Sequence, residues 1–557
     1  MERRILLIFL LLFLFLMLFH PPPPKKEKIT LPEINPPPLP SLSERILWET
    51  SWGILQPSTW GGFFSCQLTQ YKERDYGLKN LFQEKEKIKS AILRAKKETL
   101  KILAYQLLKV EESIKYFTHQ KGKNVELISF AEKFHQKFPP YLIYEAPDHK
   151  PIFKDGQDAS YLLRKEKGKI ILESNTRRIR VRKEFSLTPN PYLIKTKITL
   201  YSNSPLPPGN LLVMVGPDVG YPEGGRYYGY QGPLGWIDGK LVRISLPRKT
   251  GNTSRQVFKY GKVEWVAVQN PYFTQVLITS TPCEIAYFTF NEFKEGTAGL
   301  KWEFLTPSKE KERSVEFFLY LGPKKVDDLK LISPTLPLLI DFGKFGNLFR
   351  VIYILNFFYH LTHNYGWAII LLTLVINLIL FPLSWKSFHS MKIMQKLHPE
   401  IEALRKKYHN DPQKLNREIM ELYRKHGINP MGGCLPMFFQ MPVFIALFTT
   451  LRSAIELRGA PFIAWIKDLS LPDNFLQIGG FSLHLLPILM GVTMFFQQRL
   501  TSAKEASNPF LSTFMPIFFV FIFYNFPSGL VLYWFTNSIL SIIEQVCILR
   551  FSPSSSS

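Results

Sequence analysis

Hydrophobic positions are spread unevenly along the chain. An unbroken apolar run, Ile5–Phe19, opens it behind Arg3 and Arg4, and five more apolar segments crowd the last third, at about 366–385, 434–452, 484–498, 513–527 and 530–548. Such runs predict membrane helices, although the fifteen residues of the first reach roughly 22 Å, short of a hydrocarbon core of about 30 Å. We read the first (1–20) as an uncleaved signal anchor, since PPPPKKEK rather than a small-residue cleavage site follows it. Residues 21–40 are proline-rich and predict a stiff extended tether.

The pattern between 41 and 340 is that of a water-facing domain. EKEKIKSAILRAKKETLKILAYQLLKV has apolar residues at helical spacing, predicting helix near 80–120. From about 150 the period drops to two, in GKIILES, RRIRVRKEFSL and PYLIKTKITLYSN, with turn clusters such as NSPLPPGN between, which predicts a β-sandwich. Phe342–Asn364 is apolar on most faces but carries Arg350, His360 and His363, and predicts one helix lying in the membrane interface (341–365). The fold class expected is therefore a multi-pass α-helical membrane protein, with six transmembrane helices, five of them a core at 366–550, and a large extracytoplasmic β-domain. A cytoplasmic helical hairpin at 386–431 and a short tail at 551–557 complete it.

Polar residues interrupt the core segments at helical intervals. Thr373 and Asn377 are four apart, with Ser384 near the same face; Thr493 and Gln497 repeat the device. The last segment carries Tyr533, Asn537, Ser541 and Glu544 at steps of four, four and three, and the segment at 434–452 adds Gln440. Buried polar groups in lipid are costly and face a bundle interior or water, so two accounts stand here: hydrogen-bonding glue between helices, or a shared wet cavity. Stripes on three segments and a carboxyl at Glu544 favour the cavity.

Charge then sets orientation. The 557-residue chain carries a formal +24 with 46% hydrophobic and 14% aromatic residues. The short stretch Lys386–Gly433 has ten basic against five acidic residues, which places it in the cytoplasm by the positive-inside rule. Arg3 and Arg4 agree, giving both termini inside and residues 20–365 outside. The hairpin helices put Met391, Met394, Leu397, Ile401, Leu404 and Tyr408 on one apolar face and Leu415, Ile419 and Leu422 on the other, turning at HNDP. No aromatic RNA-binding signature accompanies the positive charge, which argues against sequence-specific nucleic acid and leaves ribosomal RNA as a docking surface. Four cysteines form no disulfide framework, although Cys66 and Cys283 fall in the same outer region and could pair. The glycine-rich GPDVGYPEGGRYYGYQGPLGW lacks phosphate-loop spacing and reads as surface turns. No Walker or HExxH motif is present, and His360 and His363 lack acidic or cysteine company, so neither cofactor nor metal is expected.

NPMGGCLPMFFQMPVFIALF, ELRGAPFIAWIKDLS, LPILMGVTMFFQQ and FPSGLVLYWFTNS, in that order across about 345–550, strongly resemble the membrane insertase family that includes bacterial YidC, mitochondrial Oxa1 and chloroplast Alb3. WVAVQNPYFTQVLI and FFLYLGP look like the end of the periplasmic β-supersandwich of its Gram-negative members; the likeness fades before residue 150. The resemblance implies a non-enzymatic insertase and chaperone of the cell inner membrane, with a hydrophilic groove open to cytoplasm and lipid. It implies nascent integral membrane proteins and the lipid bilayer as partners. It also implies the Sec translocon (SecYEG, SecDF), the ribosome through the basic hairpin 386–431, and no small-molecule substrate. Thr373, Tyr533 and Trp534 match groove residues, while Gln440 and Gln497 qualify by location. Asn377 departs from the pattern, since the family usually has an arginine there; Arg452 is a candidate substitute. The tail RFSPSSSS lacks the basic extension that some relatives use at the ribosome.

Two other classes compete. A small-solute transporter or channel with an outer sensory domain predicts substrate flux and a repeat between span groups, and no repeat is visible. A carbohydrate-processing enzyme in the β-domain would need an acid–base constellation, and none stands out.

Overall fold

The computed structural model describes most of residues 140–551, with breaks chiefly at 218–229, 246–254, 291–295, 305–310, 428–434 and 502–508. Ahead of residue 140 it describes strands at 48–49, 53–57, 63–72 and 124–126 and a few helical residues between 85 and 91. The expected signal anchor, proline-rich tether, most of the 80–120 helix, the middle of the glycine-rich stretch and the C-terminal tail lie outside the described residues. The end of that glycine-rich stretch, read as surface turns, is instead the strand Gly232–Ile237, with Pro233, Leu234 and Gly235 buried. Two compact units divide near Gly322 and Pro323.

The first unit is antiparallel β-structure. A nine-stranded sheet runs in the spatial order Lys240–Arg243, Gly232–Ile237, Val263–Gln269, Phe273–Thr279, Glu312–Pro323, Leu193–Tyr201, Arg180–Leu187, Lys169–Asn175 and Leu162–Glu166. A six-stranded sheet packs against it, ordered Arg255–Tyr260, Ile285–Phe290, Gly296–Phe304, Gly209–Val215, Tyr141–Glu145 and Pro151–Lys154. Arg180–Leu187 alternates exposed and buried positions, as a strand does when one face meets water. Gly209–Val215 is buried throughout. Its even positions Leu212 and Met214 cluster with Tyr141 and Tyr287. The alternating runs of the sequence thus become strands where expected.

One ion pair is sealed inside this unit. Lys183 Nζ lies 2.5 Å from Asp155 Oδ2, both side chains having no exposed surface. Asp155 also accepts from Tyr161 Oη at 2.7 Å and from the Leu142 amide at 2.7 Å, so its oxygens are fully engaged. Cys283 is a free, buried thiol that donates to the Ile285 and Lys301 carbonyls; the bridge to Cys66 raised above is not made.

The second unit is helical. We label its helices α1 (Val326–Ile332), α2 (Gly343–Leu348), α3 (Val351–Thr362), α4 (Tyr365–Lys396), α5 (His398–Lys407), α6 (Pro412–Lys425), α7 (Leu435–Ser453), α8 (Leu485–Thr501), α9 (Pro509–Phe523) and α10 (Ser528–Phe551). The single interfacial helix expected at Phe342–Asn364 is two, because Arg350 adopts a left-handed backbone (φ 48°) between α2 and α3. His363 does the same after α3, and Asn364 caps α4 by accepting from the Gly366 amide at 2.8 Å. The rings of Tyr359 and Tyr365 stack across that elbow at 4.0 Å.

α4 is longer than the segment predicted for it, continuing past Trp385 to Lys396 before a break at Leu397. α5 and α6 then form the expected helical hairpin. Its Asp411 caps α6 through the Lys414 amide at 3.0 Å, and Leu397 and Ile401 pack on Ile419, Leu422 and Tyr423. α4 and α10 are long and apolar enough to cross a membrane by length and composition.

Candidate functional site

α10 is the hub of the helical unit, packing against α8, α4 and α7. The polar residues of its sequence stripe meet those of its neighbours there. Asn377 Nδ2 donates to Asn537 Oδ1 at 2.9 Å and to its own helix at the Thr373 carbonyl, also 2.9 Å. Gln440 Nε2 donates to Tyr533 Oη in a short contact. Two hydrogen bonds thereby join α4 and α7 to successive turns of α10, at positions four residues apart.

These residues divide by burial. Thr373 and Tyr533 are sealed, with 0% and 1% exposure, and the Thr373 hydroxyl is spent on the Ile369 carbonyl at 2.7 Å. They are packed between helices rather than set on an open wall. Asn377, Gln440, Gln497, Asn537, Ser541 and Glu544 are half-buried. The structure therefore brings Thr373, Asn377 and Asn537 into one hydrogen-bonded group and Gln440 and Tyr533 into another, one helical turn apart on α10. Ser541 and Glu544 extend their line along α10, and Gln497 stands on the neighbouring α8. Ser384 is half-buried on α4. Thr493 resembles Thr373 in bonding back to its own helix, at the Met490 carbonyl.

Trp534 faces a different neighbourhood. Its ring lies 4.9 Å from Phe444, 5.3 Å from Phe523 and 5.8 Å from Phe519, an aromatic collar drawn from three helices. Sequence reading named Trp534 but not the phenylalanines, because a run such as PIFFVFIF looks apolar on every side. Outside the collar, Leu374, Leu378, Ile379, Phe496, Ile517 and Phe521 are exposed. A shell this apolar around a polar seam inverts the arrangement of a water-soluble helix bundle.

One end of the bundle is closed by residues 454–484. Ser528 Oγ donates to the Asp468 carbonyl at 2.9 Å, and the Ser528 and Gly529 amides bond the Leu471 and Leu469 carbonyls at 2.7 and 2.8 Å. Asp473 accepts from Trp465 Nε1 and from the Leu486 amide, both at 2.9 Å, capping α8. Gly366 belongs to this closure, since a Cβ there would lie 2.0 Å from the Phe462 ring. Arg452, in the last turn of α7 beside the cap, stands over the Phe448 ring at 5.6 Å. The cap also buries Glu456, which sequence reading passed over. Both its carboxyl oxygens are shut off from solvent without a hydrogen-bond partner among the described residues, and burial raises its pKa to about 7. The nearby Lys325 charge offsets that burial only in part. Among the described residues, no group of histidines, cysteines and carboxylates could hold a metal ion.

An apolar-shelled helical unit with an internal polar seam, joined to a β-sandwich, defines the class of membrane proteins that carry a large water-facing domain. Residues 357–555 match the family described as 60Kd inner membrane protein, and residues 114–355 match the YidC periplasmic domain. A membrane protein insertase YidC of Geotalea uraniireducens is 36% identical over 382 residues, 67% of this chain and 69% of that protein. Its counterpart from Endomicrobium trichonymphae is 43% identical over 290 residues, 52% of this chain and 56% of that protein. The chain thus spans little more than half the length of several curated relatives it matches. A crystal structure of an active YidC insertase aligns over 98% of this chain and 99% of that one at 19% identity, with a TM-score of 0.38. The chain belongs to the YidC family of inner-membrane proteins.

Proposed function

We propose that the chain inserts integral membrane proteins into the cell inner membrane and assists their folding, with the α10 seam as the client path. The observation that carries this is the convergence of half-buried amides, hydroxyls and one carboxyl on a helix whose surroundings are otherwise apolar. A charge at the bilayer centre costs about 2.5–3.5 kcal/mol even on the lenient insertion scale. A polar seam reaching part-way across shortens the dry distance that a client's tail must travel, while the apolar flank lets the client's own helix move into lipid. The relatives' printed names support the same activity.

The arrangement in the membrane follows from charge and length. We infer six spans, with 1–20 as anchor and α4, α7, α8, α9 and α10 as the core. Both termini and the 386–431 hairpin face the cytoplasm, and residues 20–365 face the periplasm. α8 and α9, at 17 and 15 residues, reach about 26 and 22 Å as helices and fit a locally thinned bilayer. The 454–484 cap then closes the outer end of the seam. Nascent membrane proteins and lipid are the partners, with the Sec translocon alongside and the ribosome at the basic hairpin.

Photocrosslinking to a ribosome-bound nascent membrane protein tests the path. Probes at Asn377 and Trp534 are expected to capture the nascent chain; a probe at Ser174, inside the β-unit, is not. A transporter would instead show solute flux in liposomes and no capture.

A further inference from the structure

Resting on the insertase reading, the geometry points to selection by charge: we propose that the seam accepts client tails that are uncharged or basic and disfavours acidic ones. Three observations carry it. First, Glu544 is the only Asp or Glu on the five core helices. It lies half-buried on the face of α10 that bears Asn537 and Ser541, and no ion pair reaches it among the described residues. Second, the core helices carry their basic residues at their ends. Arg452 and Arg499 sit in the last turns of α7 and α8, each over an aromatic ring, and α4 has none before Lys386. Third, the centre of the seam is neutral and internally engaged. Asn377 gives its amide to Asn537 and to the Thr373 carbonyl, which leaves its own oxygen as the acceptor it can offer a tail.

The consequence is electrostatic. A tail in the seam meets amide and hydroxyl groups with no bias of sign, and then the Glu544 carboxyl, which no ion pair reaches among the described residues. Once ionised, which the assay secures by working above neutral pH, that carboxyl attracts a lysine or arginine and repels an aspartate or glutamate more strongly in a partly desolvated channel than bulk water would allow. Glu544 and Asn377 are on this account the specificity-determining residues, one by the charge it bears and the other by the charge it lacks.

The test uses the full chain in proteoliposomes with no imposed potential, so that the membrane field does no work on the tail. Single-span clients share one transmembrane segment and carry short tails of serine alone, serine with lysines, or serine with aspartates; insertion into protein-free liposomes is subtracted. Tails without aspartate are expected to insert about fivefold better than the aspartate tail, the size of one partly exposed charge contact. Within each variant the ratio between tails is the readout, so lost overall activity does not mask the effect. Glu544→Gln is expected to bring the ratio towards one, and Asn377→Arg to reverse it in favour of aspartate. Equal insertion of all three tails by the unmodified chain, or a preference for aspartate, overturns charge selection while leaving the insertase reading intact. Insertion of none of them overturns both.

Discussion

Asn377 does locally what its position demands: its amide nitrogen closes a hydrogen bond between α4 and α10 and another to the Thr373 carbonyl of its own helix. Replacing it with leucine removes that bond and leaves Asn537 without its partner, a cost of about 1–3 kcal/mol for the stranded group. We expect Asn377→Leu to impair growth in a depletion strain, with Asn377→Arg supporting it; indistinguishable growth of the two variants would show that the polar group there is dispensable. Lys183 and Asp155 are a separate residue-scale case. Lys183→Met strands a buried carboxylate and is expected to destabilise the β-unit by about 3–5 kcal/mol, with the double replacement Lys183→Met, Asp155→Leu recovering much of it. Denaturant unfolding of the isolated variants, followed by tryptophan fluorescence, reads both changes.

Glu456 supplies a pH prediction whose sign follows from burial. Its folded pKa of about 7 lies above the ordinary carboxyl value, so the folded unit holds a proton that the unfolded chain has already released. Stability from this group is complete below about pH 4.5, declines as pH rises towards 7, and levels off above. Thermal unfolding in detergent should therefore show a decline over that window that Glu456→Gln removes. An unchanged pH profile in Glu456→Gln would place the titration elsewhere.

At the scale of elements, period and punctuation in the sequence were informative wherever one force decided the outcome. The runs after residue 150 became strands whether one face was buried, as in Arg180–Leu187, or both, as around Ile170–Leu172, and HNDP became the hairpin turn because Asp411 caps the helix that Pro412 begins. The elements misjudged were those fixed by neighbours. The break at Arg350 has no proline or glycine at that position to announce it, and α4 extends to Lys396 through a stretch that looks like part of the hairpin. The candidate site was legible as stripes on single helices, while the pairing of stripes was not: nothing in Asn377 or Gln440 alone says which turn of α10 each helix meets. Packing between α8 and α9 is equally a matter of contact, since a Cβ at Gly491 would come within 2.2 Å of Val520 Cγ2. Gly491→Ala is expected to lower thermal stability by about 1–3 kcal/mol, and Val520→Ala on top of it to restore most of the loss. A Gly491→Ala protein as stable as the parent would mean that the two helices separate at no cost.

For the whole molecule, the two units obey opposite solvent rules. The β-unit buries its apolar residues and its one sealed ion pair, as a protein in water does, while the helical unit exposes Leu378, Ile379, Ile517 and Phe521 and turns its amides inward. That inversion is what a bilayer requires, and it makes the seam the one polar route through the helical unit that the described residues define. Whether cytosolic water reaches this seam decides the proposed function. Single cysteines at positions 377, 497 and 541, in a chain whose own cysteines are replaced, report it through a membrane-impermeant maleimide applied to inverted and to right-side-out vesicles. The account predicts labelling at all three from the cytoplasmic side, none from the outside, and none at lipid-facing Ile517 from either. Positions 377, 497 and 541 unlabelled from the cytoplasmic side, in protein that still inserts clients, would contradict it.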